Sequence, residues 1–238
     1  DNAGGARSTM STANCYMVHT AGYYKLPLVL ALVAVVAVGS GVRYLLTHKE
    51  PLLYVAFANI VADEDLDTAL TTAFVENQGQ SPRRCEVVCF RSLYLSESPN
   101  EQSRQLAYAS RLKVMAAANA EQLDVALMNR EAYDLLSKEG YLLDLREVCT
   151  GSLSLSQQAQ ARLVSNTVVL SDNSVEVELN EAEEYKAETI EVANALELTG
   201  LALFGDYPED ESLYLGIIGN TQRLETAVAY LAYVCGAA

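Results

Sequence analysis

Three short apolar runs constrain this chain most: Leu52-Leu53-Tyr54-Val55-Ala56-Phe57-Ala58, Cys85-Glu86-Val87-Val88-Cys89-Phe90 and Leu123-Asp124-Val125-Ala126-Leu127-Met128. Each has the length of a strand, and the stretches between them are long and periodic enough for helices. Asp63 or Asp65 can cap the first helix, whose Leu66, Leu70 and Phe74 recur at i, i+4 and i+8 before Gly79 ends it. The second helix, Glu101 to Asn119, repeats Leu106, Ala109, Leu112 and Met115 near the helical period, which predicts these four as its buried face. Parallel strands need a covering crossover, so the alternation predicts βαβ units and a parallel sheet over residues 52–145.

After the third run, Asn129-Arg130 reads as a turn into a short helix that buries Tyr133, Leu135 and Leu136 and stops at Gly140. Residues Gly151 to Gln160 are rich in Ser and Gln and read as a surface connection or a short amphipathic helix. Thr167 to Leu170 and Val175 to Leu179, joined by Ser171-Asp172-Asn173-Ser174, predict a half-solvated hairpin. The acidic stretch Glu181 to Glu191 reads as a solvated face. Leu213 to Ile218 predicts a last buried strand, and Asn220 or Thr221 a cap for a final helix with Leu224, Ala227, Val228, Leu231 and Val234 on one side.

Ahead of these elements, Leu26 to Val42 contains no charged side chain, and Tyr23, Tyr24 and Tyr44 flank it. With Arg43 to Leu46 added, and the arginine snorkelling outward, the segment is long enough for a single membrane span. A cleaved signal peptide and a buried core helix are the competing readings. Arg43-Tyr44-Leu45-Leu46 continues helically past the small residues Val38 to Gly41, and the segment is apolar all round, so a retained anchor over residues 26–46 is the expectation. Arg7 and Lys25 before the span balance Arg43 and Lys49 after it, which leaves orientation open on charge alone.

Charge divides the chain unevenly. Residues 51–238 carry 12 Lys/Arg against 29 Asp/Glu, and this excess should repel nucleic acid and anionic headgroups. His19 and His48 both precede the acidic part, so a triad with a histidine base and a His-ligated metal site are excluded there. The cysteines are Cys15, Cys85, Cys89, Cys149 and Cys235, with no CxxC spacing. Buried free thiols are the expectation, and one disulfide stays open for an exported domain. Neither a calcium loop, a phosphate loop nor a nucleophile with a base is present in the pattern, so no catalytic residue, metal or cofactor is expected.

Leu70 to Gly79 (LTTAFVENQG), Leu123 to Leu145 (LDVALMNREAYDLLSKEGYLLDL) and Tyr214 to Thr221 (YLGIIGNT) followed by an Ala-rich helix resemble, in that order, the early helix, third strand with its short helix, and return strand of a known family. This is the family of extracytoplasmic solute-binding proteins of ABC transporters, with the type 2 periplasmic-binding-protein fold. An anchor ahead of the domain also resembles the tethered binding proteins of bacteria without an outer membrane. The resemblance implies an α/β fold with a parallel-rich sheet after an N-terminal transmembrane helix. It implies a cytoplasmic tail over residues 1–25, an anchor over 26–46, a main lobe over 51–148 and 195–238, and an extracytoplasmic location for the acidic domain. Family members insert a full second lobe before the return strand. Here only residues 149–194 are available, enough for the hairpin of a reduced insertion.

The implied function is non-catalytic capture of a small molecule or peptide, with a transporter permease or surface protein as partner, the lipid bilayer as anchor and no nucleic acid. Ligands of open α/β sheets bind beyond the carboxyl ends of strands. The candidate ligand-binding residues are therefore Asn59 and Asp63 after the first strand, Asn129 and Arg130 after the third, and Asn220 and Thr221 before the last helix. The other reading is a degenerate binding fold that acts as a membrane-anchored interaction or assembly module without a small ligand.

Overall fold

The computed structural model describes residues 27, 29–43, 49–97, 99–150, 155–179, 184–205, 207 and 211–236. It divides into two units, residues 1–48 and 49–238. The expected tail over residues 1–25, with Cys15 and His19, lies outside the described residues. So do His48, residues 151–154 and residues 181–183. In the first unit residues 29–43 form helix α1, whose described side chains are all exposed. Among the described residues no helix is long and apolar enough to cross a membrane. Both ends of the expected span, residue 26 and residues 44–46, are outside them.

The second unit is built on one mixed six-stranded sheet. Its first strand, β1 (Glu50–Ala58), leads to a helical stretch of α2 (Glu64–Thr68), a π-helical segment (Ala69–Ala73) and α3 (Phe74–Asn77). Strand β2 (Cys85–Leu93), α4 (Arg104–Asn119), β3 (Val125–Asn129) and α5 (Arg130–Lys138) follow. Next come α6 (Leu145–Thr150), α7 (Gln157–Gln160), β4 (Leu163–Asp172), α8 (Ser174–Leu179), β5 (Ala187–Glu197), β6 (Leu213–Ile217) and α9 (Leu224–Gly236). The strand order is β2-β1-β3-β6-β5-β4.

The predicted βαβ half holds: β1 pairs in parallel with both β2 and β3. The pairings of β6 with β3, of β5 with β6 and of β4 with β5 are antiparallel, so the sheet as a whole is mixed rather than parallel-rich. Alternation along the central strands sends side chains to two cores. Leu53, Val55, Phe57, Val125 and Leu127 face Leu70 and Phe74 of the first helical stretch and Ala227, Tyr230, Leu231 and Val234 of α9. Ala56, Ala58, Ala126 and Met128 face Val114, Ala117 and Ala118 of α4 and Ala132, Tyr133, Leu135 and Leu136 of α5.

The second face explains a wrong expectation. On that side the central strands present mostly alanine, and α4 turns its own small residues inward: Ala107, Ser110, Val114, Ala117 and Ala118 are buried. Ser110 fixes this rotation by accepting the Tyr94 N–H at 3.0 Å. The larger Leu106, Leu112 and Met115, predicted as the core face, are 53%, 41% and 42% exposed.

The hairpin also differs from expectation. Val175 to Leu179 belongs to helix α8, not to a strand, and the partner of β4 is β5. Asp172 closes the strand by accepting the Ser174 N–H and hydroxyl at 3.2 and 2.8 Å, which starts the helix at once. Asn173 holds the other end, accepting the Lys186 N–H through its side chain and donating to the Glu184 carbonyl. Residues 192–196 of β5 are buried, and Leu196 and Glu197 pair with β6. Residues 187–191 pair with β4 alone and stand exposed, so the insertion continues the main sheet as a ribbon instead of forming a second wall.

Candidate functional site

The carboxyl ends of β1 and β3 meet at Asn59 and Asn129, and both side chains are occupied within the fold. Asn59 has a left-handed backbone, φ 59°, which asparagine tolerates better than most residues. Its amide donates to the Leu95 carbonyl at 2.6 Å and to Asn129 Oδ1 at 3.1 Å, and its oxygen accepts the Leu95 N–H at 2.7 Å. Asn129 Oδ1 also caps α5 by accepting the Ala132 N–H at 3.0 Å. These two candidates are brought together, but as a clamp joining β1, β3 and the segment after β2.

Arg130 lies beside them over an aromatic pair. Its guanidinium carbon is 5.8 Å from the Tyr133 ring centre and 5.7 Å from that of Tyr214, and the two rings stack at 4.6 Å. It donates to the Tyr214 hydroxyl at 3.3 Å and pairs with Asp134, which also accepts the Asn166 amide. The Tyr214 hydroxyl and then Asp134 hold its pKa above the ordinary arginine value. Asp63 caps α2 by accepting the Leu66 N–H at 2.8 Å. It is exposed on the wall of a cavity of about 370 Å³ that Ala202, Leu203, Phe204 and Tyr207 also line.

Asn220 and Thr221 lie at the opposite end of the sheet from the other four. Because β6 runs antiparallel to β3, Ile217 pairs with Val125 at the start of β3, and the residues after β6 emerge there. Asn220 donates to the Ala118 carbonyl, and Thr221 donates to Asp124 and accepts the Arg223 N–H. Neither caps α9, which begins at Leu224. The six candidates therefore form no single site.

A polar groove of about 670 Å³ is formed by residues that sequence reasoning missed: Glu97, Arg111, Lys138, Glu139, Ser171 and Asp172. Lys138 pairs with Glu97 at 2.7 Å. Arg111 donates to the Ser96 carbonyl at 3.0 Å, while its buried Nε has no hydrogen-bond partner. Burial raises the Glu139 carboxyl above its ordinary range, with Arg111 and Lys138 opposing the shift. The groups come from the segment after β2, α4, α5 and the end of β4, so no local motif announces them. Only Lys138-Glu139, just before Gly140, carries a local signal, that of a helix end.

Among the described residues no group of three or more His, Cys, Asp or Glu could hold a metal ion. Cys85, Cys89 and Cys235 are free thiols. Burial pushes Cys89 up to about 11, which keeps it in the unreactive thiol form at neutral pH.

The outward side of α4 is the other feature that local packing does not consume. Tyr108, Leu112 and Met115 follow one another at i, i+4 and i+7, with Tyr108 66% exposed. No known protein family matches the chain, and neither a curated protein nor a solved structure is significantly similar to it.

Proposed function

We propose that this protein is a non-catalytic, membrane-anchored module that holds another protein, built on a reduced relative of the solute-binding fold. The observation that carries the proposal is the exposed apolar stripe on α4. Soluble surfaces scatter their large apolar residues singly, and a row at helical spacing marks a contact surface. The insertion adds to the argument, because a cleft that closes round a solute needs a second wall and β4 and β5 extend the first one.

The strand-helix order supports the family resemblance, with the return strand β6 seated beside β3. Anchoring is supported by the described part of α1, which exposes Val29, Leu30, Leu32, Val33, Val35, Val36 and Val38 all round its axis. The acidic domain is extracytoplasmic in this proposal, as in the tethered binding proteins that the chain resembles. Protease added to intact cells then removes the domain, whereas a protected domain places it inside.

Capture of a small solute is the second reading, and the polar groove between α5 and β4 favours it. A zwitterion such as an amino acid would find both charge signs there, Arg111 and Lys138 against Glu97, Glu139 and Asp172. The two readings separate in a thermal-shift screen of the full chain in lipid nanodiscs against amino acids, short peptides, sugars and metal salts. The interaction reading predicts a flat response. A melting temperature that rises with the concentration of one compound class favours the solute reading instead.

A further inference from the structure

We infer that α4 receives an acidic amphipathic helix of a partner protein, an inference that rests on the interaction reading and names the chemistry of its partner. Gln105, Tyr108, Leu112, Met115 and Asn119 alternate spacings of three and four, the pattern of a seam that packs against one other helix. Tyr108, Leu112 and Met115 are its apolar centre. Arg104 and Arg111 lie along one side of the seam, Arg111 donating to the Ser96 carbonyl, and Lys113 lies farther round the helix on the other side, its Nζ 5.5 Å over the Phe90 ring.

Charge selects the partner. Helix α4 holds three of the domain's 12 Lys/Arg and no Asp or Glu, on a domain whose residues 51–238 carry 29 acidic side chains. A helix with an apolar ridge and flanking Glu or Asp would meet these cations within a Debye length, roughly 8–10 Å. A second copy fits poorly. In an antiparallel two-fold pair the same flank meets itself, so Arg104 and Arg111 would face their own copies. A parallel pair sets them against Ala109 and Ala116, with no charge gained. An anionic bilayer is also disfavoured, because it would meet the acidic domain as a whole, while a single helix meets only α4.

The test uses the full chain in nanodiscs of neutral lipid and two synthetic helices about three heptads long, both with Leu along the seam. One carries Glu at the flanking positions, the other Lys. The Glu peptide should bind at least about tenfold more tightly than the Lys peptide, and more weakly as salt rises from about 50 to 500 mM. Leu112→Asp should abolish binding, and Arg104→Glu with Lys113→Glu should reverse the preference. All these side chains are exposed or lie at the rim, and circular dichroism melting verifies that the variants fold.

Equal binding of both peptides, or Glu-peptide binding that survives Leu112→Asp, would overturn the inference. So would concentration-dependent self-association that Leu112→Asp removes, or binding to phosphatidylglycerol vesicles through the same residues in preference to the peptide. The broader interaction reading fails separately, on a specific solute that raises the melting temperature. If a protein partner contacts another face while α4 ignores both peptides, only the present inference is lost.

Discussion

The carboxylate of Asp124, fully buried at the foot of β3, accepts the Thr221 hydroxyl at 2.5 Å. It also accepts the Tyr54 N–H at 2.8 Å and stands 3.4 Å from the Arg223 guanidinium, whose carbon lies 4.7 Å over the Tyr54 ring. One side chain thus joins β1, β3 and the turn after β6. Asp124→Ala leaves the buried donors without their acceptor and should destabilise the second unit by about 3 kcal/mol, read as a lower urea midpoint. Thr221→Val should cost about 1 kcal/mol.

A second buried network lies under the insertion. Asn194 accepts the Tyr133 hydroxyl at 2.9 Å and donates to the Ser137 hydroxyl at 2.7 Å, and all three residues are fully buried. Asn194 is the extra residue of a bulge, since Ala195 and Ala193 oppose the successive residues Val164 and Ser165. Asn194→Leu should cost about 2 kcal/mol by removing its bonds to both hydroxyls, which keep only the longer contacts to the Val164 and Thr167 carbonyls. Combining it with Tyr133→Phe should cost less than the two single changes together, and a double-mutant cycle of urea midpoints measures that coupling.

Gly216 of β6 has no room for a side chain. A Cβ there would lie 3.0 Å from the Asn194 carbonyl oxygen, 3.1 Å from Leu142 Cδ2 and 3.2 Å from Met128 Cε. The side-chain atoms can yield, but the carbonyl belongs to a paired strand. Gly216→Ala should therefore destabilise by about 1–3 kcal/mol in thermal or urea unfolding.

These residues show what was legible in the chain. Three strands, the Asp63 cap, the Asn129 turn and the Gly140 stop, with its φ of 73°, depend on neighbours in sequence, so local pattern finds them. The rotation of α4 depends on the alanines it packs against, which sit on other elements. Its larger Tyr108, Leu112 and Met115 and its buried small residues lie on opposite sides, and only the neighbouring elements decide which side is covered. Strand direction is likewise non-local: nothing within Leu213 to Ile217 states that β6 runs against β3, and that direction sends Thr221 to the far end from Asn129. The polar groove escaped for the same reason, since Glu97, Arg111 and Asp172 become neighbours only once the sheet is assembled.

Burial of Cys89 gives stability a pH dependence. The thiol moves from its ordinary 9.0 to about 11 in the folded state, chiefly through desolvation. Below about pH 9 folded and unfolded chains both hold the proton, and stability is unaffected. As pH rises from about 9 to 11 the unfolded chain releases it first, so stability falls by about 1.4 kcal/mol per unit and levels off above the folded value. Urea midpoints across that range should fall, and Cys89→Ala should flatten part of the slope. Tyr230, Tyr133 and Cys235, all raised by burial, act in the same direction.

The account turns on whether the outer side of α4 touches another protein. A photo-crosslinking amino acid at Leu112, in cells that make the full chain, tests this, with the same group at the exposed Val175 as control. The prediction is one discrete protein adduct from position 112, absent from position 175, whose crosslinked segment is an acidic amphipathic helix by mass spectrometry. Adducts to lipid alone, or no adduct beyond that of the control, would contradict it.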